Sequence, residues 1–240
     1  MKVNTTFTKS ILTSGAVTLL LSACGGGGGS SGTGNTPITP SIAKTQYPIE
    51  AAITSLNTSS FSKSLRYTDT KGVIYSIDFS SVPSGDTSFN GKAAKTATQT
   101  MALKVNGVAA GTSIHTFYFQ INPFKVLGYA ENGGSYVVAA NQVALPTSSP
   151  VGSSGKFYTL TEYASNLSSL PVSTTVAHWS LEADTSSTAY FCDNGSETKN
   201  TPNPQPEMIA ECYKMDALGK VTGMKLTMAV NGQSMTFTGQ

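Results

Sequence analysis

From Val73 onward the apolar residues return at every second position, and this constrains the fold more than any other feature of the chain. Val73, Tyr75, Ile77 and Phe79 fall on one side of an extended backbone, while Ser76, Asp78 and Ser80 fall on the other. Met101, Leu103 and Val105 alternate with Ala102, Lys104 and Asn106. Met224, Leu226, Met228 and Val230 alternate with Lys225, Thr227 and Ala229. Strands with one apolar face belong to antiparallel sheets that are wet on the other side. Turn chemistry agrees. Asn106-Gly107 and Asn231-Gly232 each sit where a two-residue hairpin needs positive φ at both positions. Glu131-Asn132-Gly133-Gly134 separates the apolar run at Val126 to Tyr129 from that at Tyr136 to Ala139. Asp216-Ala217-Leu218-Gly219 separates Cys212 to Met215 from Lys220 to Leu226. Strands joined by tight turns are neighbours. The expectation is an all-β domain, an antiparallel meander of roughly ten to twelve strands closing as a barrel or a sandwich. One short helix is expected near its start, where Pro48 precedes Ile49, Ile53 and Leu56 on one helical face. Met101 to Gly107 and Leu226 to Gly232 look alike, either as an internal duplication or as one hairpin motif used twice.

The amino-terminal segment follows different rules. Lys2 and Lys9 precede an apolar stretch of Ile11-Leu12 and Ala16 to Leu21, with no acidic residue before Cys24. Thr13, Ser14 and Gly15 interrupt that stretch, which is too short for the ~20 apolar residues of a bilayer-spanning helix. Leu21-Ser22-Ala23-Cys24 then gives an aliphatic residue, two small residues and a cysteine. In this pattern the chain resembles the bacterial lipoprotein class. The resemblance implies that the Cys24 thiol carries diacylglycerol, that cleavage follows Ala23, and that the new amino group is acylated. One acyl chain binds membranes only marginally, at about 0.8 kcal/mol per buried methylene, so stable anchoring takes two or more. The competing reading is an ordinary cleaved signal with an unmodified cysteine. Gly25 in place of an aspartate implies, by the same resemblance, the outer membrane rather than retention at the inner one.

Gly25 to Gly29, Ser30 to Gly34 and Asn35 to Pro40 lack the side chains to bury a core. Such a coil has a root-mean-square reach of about 20–24 Å. Glycine-rich tethers of this kind are similar to those of surface-displayed lipoproteins. The chain therefore divides into a cleaved signal at 1–23, the anchor cysteine and tether at 24–44, and a β domain at 45–240. Gly28-Gly29-Ser30-Ser31-Gly32 matches the G-x-S-x-G pattern, but without the strand and helix a nucleophile elbow needs.

Charge and cysteines narrow the function. The 15 basic and 13 acidic residues become thirteen of each once Lys2 and Lys9 are removed with the signal. A neutral domain with no Lys or Arg run offers nothing for nucleic acid. With Cys24 assigned to lipid, Cys192 and Cys212 remain as a pair in an oxidising compartment, which predicts a disulfide. The alternatives are metal ligands or a reactive thiol, but no C-x-x-C occurs and neither His115 nor His178 has ligand spacing to them. Closing a loop of about 20 residues around Pro202, Pro204 and Pro206 would contribute roughly 3 kcal/mol.

No catalytic constellation emerges. His115 alternates with Phe117, Phe119 and Ile121 and reads as a core histidine with one hydrogen-bond partner. His178, Ser180 and Glu182 share a strand face, but i to i+4 on a strand spans about 13 Å, so they read as a solvated surface. Asp193-Asn194-Gly195-Ser196-Glu197 lacks the ligand alternation of a calcium loop and reads as a turn after Cys192. Tyr118, Phe124, Tyr129, Tyr136, Phe157, Tyr158 and Tyr163 read as core and cross-strand pairs, with some tyrosines open to a partner. No pattern requires a cofactor or a metal. Three functions follow as expectations. The first is a non-enzymatic binding module, lipid-anchored at the outer membrane or cell surface, for an envelope or surface protein or a small apolar ligand in the barrel. The second is a periplasm-facing structural or assembly lipoprotein, and the third a hydrolase built from distant strands.

Overall fold

The computed structural model describes residues 45–132, 134–201, 207–230 and 233–239. Cys24 and its tether, the Asn231-Gly232 turn and the proline-rich loop at 202–206 lie outside the described residues. A two-residue strand β1 (Gln46–Tyr47) leads into helix α1 (Ile49–Thr58). Then come β2 (Phe61–Thr68), β3 (Ile74–Phe89), β4 (Lys92–Val105) and β5 (Val108–Gln120). Next are β6 (Lys125–Glu131), β7 (Tyr136–Ala140), the short β8 (Ser149–Pro150) and β9 (Ser154–Tyr163). The chain closes with β10 (Pro171–Ala183), β11 (Thr188–Lys199), β12 (Glu207–Asp216), β13 (Val221–Val230) and β14 (Gln233–Gly239).

Twelve of these strands close into one antiparallel barrel, in which each strand pairs with the next, β9 skips β8 to meet β7, and β14 returns to β2. The fold is thus a barrel and not a sandwich. β1 pairs with β8 outside it. The alternation seen in the sequence is the wall of this barrel. Leu65, Ile77, Phe79, Met101, Leu103, Phe119, Leu181, Phe191, Leu226 and Phe237 are buried on its inner face. Ser64, Asp78 and Lys104 meet on the outer face, where Asp78 accepts from Ser64 at 2.5 Å and from Lys104 at 2.7 Å. At Asn106-Gly107 both residues have positive φ, 50° and 81°, as the hairpin chemistry requires.

About eight strands make a barrel whose own side chains fill it, so twelve leave space that something must occupy. One face of helix α1 supplies part of that filling, while Ala51, Ser55 and Thr58 on its other face stay exposed. Pro48 sits at its N-cap, and Ile49, Ala52, Ile53, Leu56 and Asn57 are buried. Glu50 in its first turn accepts the Phe124 backbone N–H at 2.8 Å, which ties the helix to the β5–β6 connection. A Cβ at Gly219, in the β12–β13 turn, would lie 2.8 Å from the Pro48 ring. The helix therefore enters at the rim that carries the β5–β6 and β12–β13 connections.

Three features depart from or refine the sequence reading. Strand β3 runs 16 residues and bulges between Pro83 and Gly85, so its hairpin with β4 extends past the rest of the wall. Its tip places Phe89 against the outer face, stacked on Tyr118 and Tyr136 at 4.4 and 5.1 Å, in a second small apolar cluster with Ala94 and Leu127. The segment Asp193 to Glu197 is not a turn. It lies within β11 and pairs residue by residue with β10 and β12. Cys192 and Cys212 are direct cross-strand partners on β11 and β12 and form a disulfide, with Cα atoms 3.9 Å apart.

Candidate functional site

Strand pairing brings a polar cluster into the barrel interior. Asp193 on β11 lies opposite Glu211 on β12, and both are on the same inward register as Phe191 and Tyr213. Gln99 on β4 lies opposite His115 on β5. These residues, with Tyr129, Tyr158, Ile53 and Asn57, line an internal cavity of about 110 Å³ beneath helix α1. The walls are otherwise aromatic and aliphatic, including Phe117, Phe124, Phe157 and Leu160.

Each carboxylate is held by a phenol. Tyr158 donates to Asp193 Oδ2, and Tyr213 donates to Glu211 Oε2 at 2.8 Å. Burial pushes the Asp193 carboxyl up to about 7, against the hydrogen bond from Tyr158 and reinforced by the charge of Glu211. Burial raises Glu211 as well, opposed by its bond from Tyr213. The phenols of Tyr158 and Tyr213 are held well above their ordinary range, first by burial and then by the adjacent carboxylates, so both remain donors. His115 is 8% exposed and packs on the Tyr129 ring at 5.0 Å. Burial lowers it to about 4, so it is neutral at ordinary pH. Its Nε2 meets Gln99 Oε1 at 2.8 Å, which makes Nε2 the protonated nitrogen and Nδ1 the acceptor. Among the described residues neither His115 Nδ1 nor Asp193 Oδ1 has a hydrogen-bond partner.

Beyond this cluster, towards the rim opposite the helix entry, the inward register stays acidic. Glu131 accepts from Ser113 at 3.0 Å, and Glu162 accepts from Ser135 and Ser173 at 2.5 and 2.8 Å. Glu207 pairs with Lys199 at 2.7 Å, and Glu197 is 1% exposed. The charges of Glu162, Glu131, Glu197 and Glu211 add to burial in holding the Tyr129 phenol well above its usual range.

The residues singled out from the sequence separate cleanly. His115 is a core histidine with Gln99 as its partner, and it also borders the cavity. His178, Ser180 and Glu182 face outward, where Ser180 accepts from Asn194 at 3.0 Å and Glu182 pairs with Lys225 at 2.7 Å. The Glu182 carboxylate lies within 4.8 Å of both disulfide sulfurs, but oxidised sulfur offers no thiolate to a metal ion. Phe124, Tyr129, Phe157 and Tyr158 line the cavity, whereas Tyr118 and Tyr136 support the outer cluster. No serine, threonine or cysteine lines the cavity among the described residues, so His115 has no Ser, Thr or Cys beside it there of the kind that forms a Ser-His or Cys-His pair. Glu211 and Gln99 are functional candidates that sequence reasoning passed over, and Asp193 is one that it read as part of a turn. Their signal is polarity on an apolar register, as where Glu211 falls between Ile209 and Tyr213.

No family model, curated protein or solved structure matches this chain. The fold and the site themselves define the class: a closed, partly helix-filled antiparallel β-barrel with a polar chamber inside it.

Proposed function

We propose that this is a lipid-anchored cell-envelope protein whose barrel is a non-enzymatic binding module at the outer membrane or cell surface. The observation that carries the reading is the polar outer wall. A barrel that crosses a membrane presents an apolar band about 25 Å tall to the lipid. This wall instead carries Asp78 with Lys104, Glu182 with Lys225, and Lys214 with Asp184 as ion pairs. Such a wall belongs in water, and attachment then falls to acylated Cys24, with the tether spacing the domain from the headgroups. The interior chamber supplies a place for a ligand.

Metabolic labelling with a fatty-acid analogue, followed by protease shaving of intact cells, tests both parts. Label that requires Cys24, on a domain removed by external protease, is the expected result. Absence of label overturns the anchor. Label with full protection from protease supports the periplasm-facing structural or assembly lipoprotein instead.

A further inference from the structure

We propose that the chamber beside His115, Asp193 and Glu211 binds a small primary ammonium compound. This deepens the reading of the barrel as a binding module and does not depend on the anchor. Three features of the chamber converge on that chemistry. The first is hydrogen-bonding sense. The two buried atoms without partners there among the described residues are His115 Nδ1 and Asp193 Oδ1, and both accept once the Asp193 carboxyl is ionised. A buried acceptor left unpaired loses its hydration without replacement, so the fitting ligand brings N–H or O–H donors.

The second feature is charge. Asp193 and Glu211 stand side by side, and Glu131, Glu162, Glu197 and Glu207 continue the acidic inward register towards the rim. Lys199 on that register is already taken by Glu207 at 2.7 Å. A cleft of one sign with low-dielectric walls concentrates the opposite ion. Anions and carboxylic acids are therefore poor occupants. The third feature is the wall. Tyr129, Phe157 and Tyr213 offer ring faces that suit both a cation and a short alkyl chain.

Size and valence then select among cations. At about 30 Å³ per water-sized group, 110 Å³ admits roughly four non-hydrogen atoms. A quaternary ammonium has no N–H for the unpaired acceptors, and an alkane satisfies neither acceptor nor charge. A primary ammonium with two to four further atoms brings the N–H donors and the positive charge and fits that volume.

The test uses the full chain in detergent micelles. The protein holds two histidines, so His178 on the outer face is an internal control for His115 in a ring-selective NMR titration. The probes are n-propylammonium, n-propanol, tetramethylammonium and acetate. Saturable movement of the His115 signals by n-propylammonium, with His178 still, is expected. Affinity at least tenfold weaker is expected in Asp193→Asn and in Glu211→Gln. If one variant fails to fold, as judged by near-ultraviolet circular dichroism, the other decides, and the unmodified chain's titration stands regardless. An equal response to n-propanol or tetramethylammonium overturns the ammonium assignment and leaves a binding module of different chemistry. No response at His115 to any probe overturns the chamber as a site, while the labelling and shaving experiments are unaffected.

Discussion

His115 and Asp193 are a buried base and a buried acid bordering the same chamber, and they bend the stability curve in opposite directions. His115 is lowered from 6.5 to about 4, so unfolding takes up a proton and its contribution to stability falls as pH drops through that window. Asp193 is raised from 3.8 to about 7, so unfolding releases a proton and its contribution falls as pH rises from about 4 to 7. Glu211 is raised too and acts in the same sense as Asp193. Compared with the unmodified chain, His115→Gln should therefore lose stability more steeply on raising pH between 4 and 6.5. Asp193→Asn should lose it more steeply on lowering pH over the same interval. Melting temperatures at half-unit pH steps read both, and parallel curves for all three proteins would contradict the burial of these groups. The sequence made the core placement of His115 legible through its alternation with Phe117 and Phe119. Its partner Gln99 was not legible, because a bulge between Leu103 and Lys104 shifts the register of the β4–β5 hairpin by one residue and no residue type there marks it.

At the scale of elements, α1 and the glycine contact at β6 carry the packing. Ile53 is buried on the helix face towards the barrel interior, and Ile53→Ala should cost about 2–4 kcal/mol, a fall of roughly 5–12 °C in Tm. Gly128 has φ of +147°, and a Cβ there would lie 2.0 Å from the Val137 carbonyl oxygen, with the Phe89 ring 3.0 Å away. Gly128→Ala combines backbone strain with a clash against a neighbouring strand, so it should cost at least about 4 kcal/mol and remove most soluble protein. Normal yield and Tm would contradict the close β6–β7 approach. The Cys192–Cys212 bridge closes a 20-residue separation, and its reduction should remove roughly 3 kcal/mol. Mass analysis without reductant should find two hydrogens missing, whereas two alkylatable thiols would end the assignment. Pro48, Ile49 and Ile53 announced the helix, and the Asn-Gly and Asp216 to Gly219 turns announced hairpins. Asp193 to Glu197 misled because Asp-Asn-Gly-Ser is turn composition. Ladders on both sides hold that segment extended, and Tyr158 on β9 donates to the Asp193 carboxylate.

For the molecule as a whole, the step from many strands to a closed barrel rests on contacts remote in sequence. β14 meets β2 through Gly239 with Leu65 and Thr238 with Arg66, a short seam between the two ends of the wall. Nothing local in either strand encodes that seam, which is why the sequence left barrel and sandwich both open. What the sequence does carry is the alternation that gives the domain an apolar inner and a polar outer face. The central claim is that the barrel stands in water and that Cys24 alone ties it to the membrane. Detergent-phase partition of the full chain against Cys24→Ala tests this directly. The unmodified protein should enter the detergent phase, while Cys24→Ala stays in the aqueous phase, folded and with an unchanged Tm. A Cys24→Ala protein that still needs detergent to remain in solution would contradict that claim.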